Sequence, residues 1–145
     1  MLKYFLVGAV CAVIAAMIWV RVAPTDANFW HQTDLPVGKA GEFTAAGSHT
    51  VLRDVADGAA ALAALDGIIT ATPRTKRLRG SVDDGRITYV TRSVIWGFPD
   101  YTTVAVGPNN ASLVINGRLR FGKADLGVNR ARITGWLAQL DEATQ

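Results

Sequence analysis

Cysteine is almost missing from this chain. The single thiol, Cys11, lies inside an apolar run, so everything beyond that run builds neither disulfides nor thiolate metal sites. Histidine is nearly as scarce, and His31 and His49 do not have the four-residue helical spacing of a metal pair. No G-x-S-x-G elbow and no phosphate-cradling glycine loop occurs. Ser48 beside His49 is not a triad, because triad members converge in space and sequence neighbours rarely do. No catalytic residue, metal ligand or cofactor is therefore assigned. Internal repeats and low-complexity tracts are also lacking, which excludes solenoids and linker arrays.

What the chain does hold is a long run without charge, Tyr4 to Val20, fenced by Lys3 and Arg21. At about 1.5 Å per residue this run makes about 26 Å of helix, and Val22 and Ala23 bring it close to the roughly 30 Å of a bilayer core. A cleaved secretory signal is the rival reading, since it too begins with a short basic start and an apolar core. Cutting after Ala23 would put Arg21 where a small residue is wanted and Pro24 just past the scissile bond. A lipoprotein reading of Cys11 fails because Val10 precedes it. The expectation is an uncleaved signal anchor over residues 1–23, with Cys11 a small lipid-facing side chain. For orientation, the positive-inside rule has only Lys3 and the terminal amine to weigh against Arg21. A domain outside the cytoplasm is the preferred reading.

Residues 24–48 read as an irregular lead, broken by Pro24, Pro36, Gly38, Gly41 and Gly47. Trp30 and His31 stand out there as membrane-proximal residues, placed at headgroup level or packed on the domain. Residues 49–145 then make one domain. From Asp54 to Ile69 the apolar positions Val55, Ala59, Leu62, Leu65 and Ile69 fall three or four apart, predicting an amphipathic helix capped by Asp54 and stopped by Pro73. Four strand-like runs follow, at about 75–82, 86–95, 101–107 and 111–121. Asp83-Asp84-Gly85 and Pro108-Asn109-Asn110 are turn signals between them. A last helix, about 125–140, has Asp125 placed to cap it. The predicted fold is α+β: an N-terminal transmembrane helix, then a two-layer domain with a mainly antiparallel sheet of about four or five strands covered on one face by two helices.

The formal charge of +3 conceals an asymmetry. Residues 24–66 carry two basic and six acidic side chains, whereas residues 74–132 carry eleven basic and four acidic ones. Arg77, Arg79, Arg118 and Arg120 are expected on one solvated sheet face, and such a surface attracts anions. Nucleic acid fits the sign, but the strands lack the aromatic interleaving of a stacking platform. In the last helix Leu126, Ile133, Leu137 and Leu140 share a stripe that also holds Asn129, with Arg130 at its edge. An unpaired polar group there costs about 1–3 kcal/mol, so partners are required, and Asp100 and Asp125 are the nearest carboxylates for Arg130. The expected arrangement is a polar clasp that fixes helix on sheet, with a ligand site as the alternative.

Gly122-Lys-Ala-Asp-Leu-Gly-Val-Asn-Arg-Ala-Arg132 resembles the closing signature of the bacterial "domain of unknown function 1499" family, close to G-x-S-D-L-G-V-N-R-x-R. Thr72-Pro73-Arg74-Thr75, Thr91-Arg92-Ser93 and Phe98-Pro99-Asp100 follow the same order, and the lead with Trp30 and His31 is similar to that of membrane-anchored members. Two departures matter: Ala124 stands where the family usually has serine, and in Asn116-Gly117-Arg118-Leu119-Arg120 only Arg120 aligns comfortably. The resemblance implies a fold and an envelope location, here the bacterial inner membrane with a periplasmic domain, and brings no activity.

The binding or clasp candidates are thus Arg74, Arg92, Asp100, Arg120, Asp125, Asn129, Arg130 and Arg132. Candidate partners are membrane lipid through the helix, and an anionic lipid, an acidic polymer or an acidic protein for the domain. The first function hypothesis is a membrane-tethered binding or scaffolding module. The second is a hydrolase-like envelope enzyme with a polar pocket around Asp100, Asn129 and Arg130, and the third a structural subunit of a membrane complex.

Overall fold

The computed structural model describes residues 1–124 and 126–144. Helix α1, Leu2–Val22, is long and apolar enough to cross a membrane. It stands clear of the domain until its last turn, where Val20 becomes buried. A short helix α2, Ala27–His31, follows, and then strands β1, Gly41–Ala45, and β2, Ser48–Asp54. Helix α3, Gly58–Ala71, leads to β3, Thr75–Ser81, β4, Arg86–Arg92, β5, Pro99–Val106, and β6, Ser112–Leu119, and α4, Val128–Ala143, ends the order. The six strands form one antiparallel sheet in the order β1-β2-β6-β5-β4-β3.

The α+β fold with helices on one face is as expected, but the sheet is larger. Two strands precede the four runs read from the sequence: β2, and β1, which lies in the stretch read as irregular and pairs with β2 around a turn in which Gly47 takes φ +74°. Strand β1 is an exposed edge strand with little apolar alternation, so it carries no periodic signal. The first helix begins later than Asp54 implied, because Asp54 still belongs to β2. Asp57 caps it instead, accepting from the Ala60 N–H at 3.0 Å, and Asn110 Oδ1 accepts from the Ala59 N–H at 2.7 Å. The last helix begins at Val128 behind Gly127, and the expected cap Asp125 lies outside the described residues.

The core forms between one sheet face and the two long helices. Leu62, Leu65 and Ile69 of α3, and Ile133, Trp136 and Leu140 of α4, close over Val51, Ile87, Tyr89, Val104, Leu113 and Ile115. Each such side chain stabilises the fold by about 1.5–3 kcal/mol on full burial. One carboxylate shares this layer. Asp66, on the α3 stripe between Leu62 and Ile69, accepts from the Tyr89 hydroxyl at 2.8 Å and from Arg77 Nε at 2.7 Å. Burial opposes its ionisation, yet the Arg77 and Tyr89 hydrogen bonds prevail and hold its pKa below the ordinary 3.8. The sign of the linkage follows: a depressed native pKa contributes stability above pH 3.8 that is lost as the pH falls through the native value. Asp66→Asn is expected to flatten the acid limb of stability, measured as urea midpoints between neutral pH and pH about 3 on the full chain in detergent. An unchanged acid limb would refute the role given to Asp66.

The opposite sheet face is not left to solvent. Asp26 caps α2 through the Asn28 and Phe29 N–H groups, and Trp30 stacks on Tyr101 with ring centroids 4.0 Å apart. Arg118 donates to the Trp30 carbonyl at 2.8 Å, to Thr103 Oγ1 at 2.6 Å and to Thr33 Oγ1, and its guanidinium lies over the Trp30 ring. Arg120 donates to the Pro24 carbonyl at 2.6 Å and to Thr25 Oγ1 at 2.9 Å. Arg86 donates to the Thr33 carbonyl. The expected solvated arginine face is therefore corrected: Arg118 and Arg120 grip the lead, while Arg77 points to the other side of the sheet, to Asp66. Burial, reinforced by Arg86, pushes the Arg118 pKa down to about 10, which leaves the group charged at neutral pH. His31 Nδ1 lies 3.0 Å from Thr88 Oγ1. Burial, with Arg86 and Arg79 nearby, pushes its pKa below 6.5, so it serves as a neutral hydrogen-bonding group in this strap.

Candidate functional site

Three chain segments meet at the end of the sheet where β4 stops and β5 starts: the turn from α3 into β3, the end of β4, and the first turn of α4. Asp100 opens β5 and is nearly buried. Arg132 Nη2 donates to Asp100 Oδ2 at 3.2 Å, and Arg132 Nη1 donates to Asn129 Oδ1 at 2.9 Å. Asn129 is fully buried. The clasp expected between helix and sheet thus exists, but its cation is Arg132. Arg130 is 64 % exposed and meets Glu42 only at 3.7 Å. The reason is helical phase. Arg132 lies three residues beyond Asn129 and shares its face, whereas Arg130 is turned about 100° away.

Gly117 makes the clasp possible. A Cβ on this β6 residue would lie 3.0 Å from Asn129 Oδ1 and 3.1 Å from Ile133 Cδ1, so a side chain there would crowd both and force them to give way. The sequence reading did not single out Gly117. Its available signal was a glycine within an otherwise alternating strand, which marks close approach of another element.

Beside the clasp opens a cavity of about 310 Å³ bordered by Thr72, Arg74, Thr91, Arg92, Asp100 and Arg132. A neighbouring cavity of about 460 Å³ shares Arg74, Arg92, Ser93 and Val94 with it and adds Arg21 and Lys76. Four cations line the second cavity and no carboxylate does. The guanidinium groups of the three arginines among them are aimed by backbone carbonyls. Arg74 Nε donates to the Arg92 carbonyl at 3.1 Å, and Arg92 donates to the Gly97 carbonyl at 2.9 Å and to the Arg21 carbonyl at 3.3 Å. Arg21 donates to the Met17 and Ile95 carbonyls, each at 3.1 Å. Among the described residues none of Arg21, Arg74, Lys76 and Arg92 forms an ion pair, so their charge stays uncompensated. Arg74 holds a left-handed backbone conformation, φ +61°, uncommon for a side chain of this size.

Of the candidates read from sequence, Arg74, Arg92, Asp100, Asn129 and Arg132 come together here. Arg120, Trp30 and His31 belong to the strap on the other sheet face, Arg130 is exposed, and Asp125 lies outside the described residues. Arg21 and Lys76 join the site without having been foreseen, because nothing local in the sequence brings the end of the N-terminal apolar helix to a sheet edge. The two histidines stay apart: His31 faces Thr88 on the strap side, and His49 is buried in β2 with Thr44 Oγ1 2.8 Å from its Nδ1. Among the described residues no three His, Cys, Asp or Glu side chains converge to hold a metal ion.

The segments that converge are those of the motif-bearing stretches 72–75, 91–93, 98–100 and 122–132. Residues 44–140 match a family described as protein of unknown function, DUF1499. The chain belongs to the DUF1499 family. The match begins in β1 and ends inside α4, so the sheet, the core helices and the clasp are the family's domain, whereas α1 and the strap lie outside the matched residues. No curated protein shows significant similarity to the chain.

Proposed function

We propose that this DUF1499 protein is a membrane-tethered binding module whose domain receives an anionic ligand in the cleft of Arg21, Arg74, Lys76 and Arg92. The observation that carries this reading is a cavity lined by four cations and no carboxylate, in which the three arginines are aimed by backbone carbonyls. Ion-paired surface arginines would be spent on each other's partners; these are oriented and electrostatically unanswered, which favours an incoming anion. Retention of α1 as an anchor is supported by its last turn: Val20 is buried, Trp19 lies 6.0 Å from the Phe121 ring, and Arg21 is bonded into the cleft wall. The module is read as single-pass in a bacterial inner membrane with the domain on the periplasmic side.

The hydrolytic alternative around Asp100, Asn129 and Arg130 loses support, since Asp100 is engaged by Arg132 and Arg130 points away. Titration of the full chain in neutral detergent with inorganic pyrophosphate tests the reading. Salt-sensitive binding is expected, and Lys76→Glu, an exposed change that spares the clasp, should weaken it about tenfold or more, as loss of one charge-assisted contact does. No binding, or equal binding by the variant, would refute the proposal.

A further inference from the structure

The loop between β4 and β5 carries five residues without a charge, Val94-Ile95-Trp96-Gly97-Phe98. Val94 and Ile95 are 71 % and 70 % exposed, Trp96 43 % and Phe98 36 %. This exposure is not slackness. The Ser93 N–H donates to the Phe98 carbonyl at 2.9 Å, the Phe98 N–H to Ser93 Oγ at 3.0 Å, and the Gly97 N–H to the Ser93 carbonyl at 3.2 Å, closing a rigid knob. A large apolar tip held out on a closed loop needs an apolar environment.

Its position names that environment. Arg21, at the end of α1, donates to the Ile95 carbonyl, and a ring chain runs from Trp19 through Phe121 and Phe98 to Trp96 with centroid steps of 6.0, 5.8 and 6.1 Å. The tip is therefore continuous with the place where α1 leaves the domain. If α1 spans a bilayer, its Trp19 to Val22 turn lies at the interface, and the tip beside it lies there too, with aromatic rings at the depth where they are enriched. The four-cation cleft shares Ser93, Val94 and Gly97 with this loop and so comes to the level of the lipid phosphates.

Resting on the anion-binding reading above, we infer that the β4–β5 loop is a second membrane contact, inserting Val94, Ile95 and Trp96 into the interface, and that the cleft ligand is the phosphate headgroup of an anionic phospholipid from that leaflet. The helix and the loop together hold the domain at one orientation against the bilayer. Charge and apolarity supply separate parts of the recognition: the knob sets depth, and Arg74, Lys76 and Arg92 with Arg21 select an anionic headgroup over a zwitterionic one.

The test uses the full chain in vesicles of phosphatidylcholine mixed with phosphatidylglycerol. A Cys11→Ser, Val94→Cys variant carrying an environment-sensitive fluorophore should show a blue-shifted emission quenched by shallow spin-labelled lipid. On extraction into mild detergent, native mass spectrometry should find phosphatidylglycerol retained in preference to phosphatidylcholine, displaced by pyrophosphate and lost in Lys76→Glu. A water-exposed label overturns the loop contact. Pyrophosphate binding without retained phosphatidylglycerol overturns the headgroup assignment and leaves the anion-binding reading standing. Absence of both overturns both.

Discussion

Replacing Arg132 with Met will lower the unfolding free energy by about 3 kcal/mol, because it takes a charged, hydrogen-bonding partner from a largely buried carboxylate. Arg132 and Asp100 side chains are 14 % and 11 % exposed, so water screens the pair little. Arg132 also donates to Asn129, a fully buried amide beneath which Gly117 has been kept small, and the loss reaches the docking of α4 as a whole. Arg130→Met, two residues back and on the far edge of the same helical stripe, will change stability by no more than about 0.5 kcal/mol, since its ion pair with Glu42 is long and exposed. Urea unfolding of the two variants in the same detergent decides the matter. Equal midpoints for both would refute the clasp as drawn. A double-mutant cycle of Arg132→Met with Asp100→Asn should then return a coupling of about 1–3 kcal/mol, as expected for side chains in one hydrogen-bonded network.

Trp30→Ala will cost about 2–3 kcal/mol, a little under the range for a fully buried tryptophan because this ring keeps part of its surface in water. The ring stacks on Tyr101, lies over the Arg118 guanidinium, and seats the Trp30 carbonyl that Arg118 and Thr103 share. Its loss uncovers a half-buried arginine whose pKa desolvation has already pushed down, so the variant should also make the strap accessible to protease cleavage between Pro24 and Pro36. Phe29→Ala is the matched control, since Phe29 is 67 % exposed and should change stability by about 0.5 kcal/mol or less. If both variants behave alike, the lead is a tether and not a strap. The distinction bears on the proposed function: a strap transmits the position of α1 to the sheet and fixes the cleft relative to that helix, whereas a free tether would let the domain tumble.

The hairpins, the helix stripes and the membrane-length run were legible because each is a local pattern. Asp83-Asp84-Gly85 bends the chain whatever lies elsewhere, and Leu62, Leu65 and Ile69 share a face by spacing alone. The motif segments were legible as candidates, yet the clasp cation was misassigned. Both Arg130 and Arg132 border the apolar stripe of α4, and only the side on which the sheet lies distinguishes them. The charge asymmetry was legible as a sum, whereas its division among Asp66, the strap carbonyls and the open cleft was not. The strap was hidden for the same reason: its contacts join residues 24–33 to strands more than fifty positions onward.

The sequence by itself determined that this protein begins with a helix of membrane length and continues as one α+β domain with a basic excess in its second half. Periodicity, turn chemistry and charge count are properties of short windows and survive without knowledge of the fold. Only the tertiary structure decided which arginines are spent inside the molecule and which remain open, because a guanidinium's fate depends on the carbonyl or carboxylate that packing brings to it. That packing joins Arg21 from the end of the apolar N-terminal helix to Arg74, Lys76 and Arg92 at the β3–β4 side of the sheet, and the open cleft where that helix meets the domain is the result.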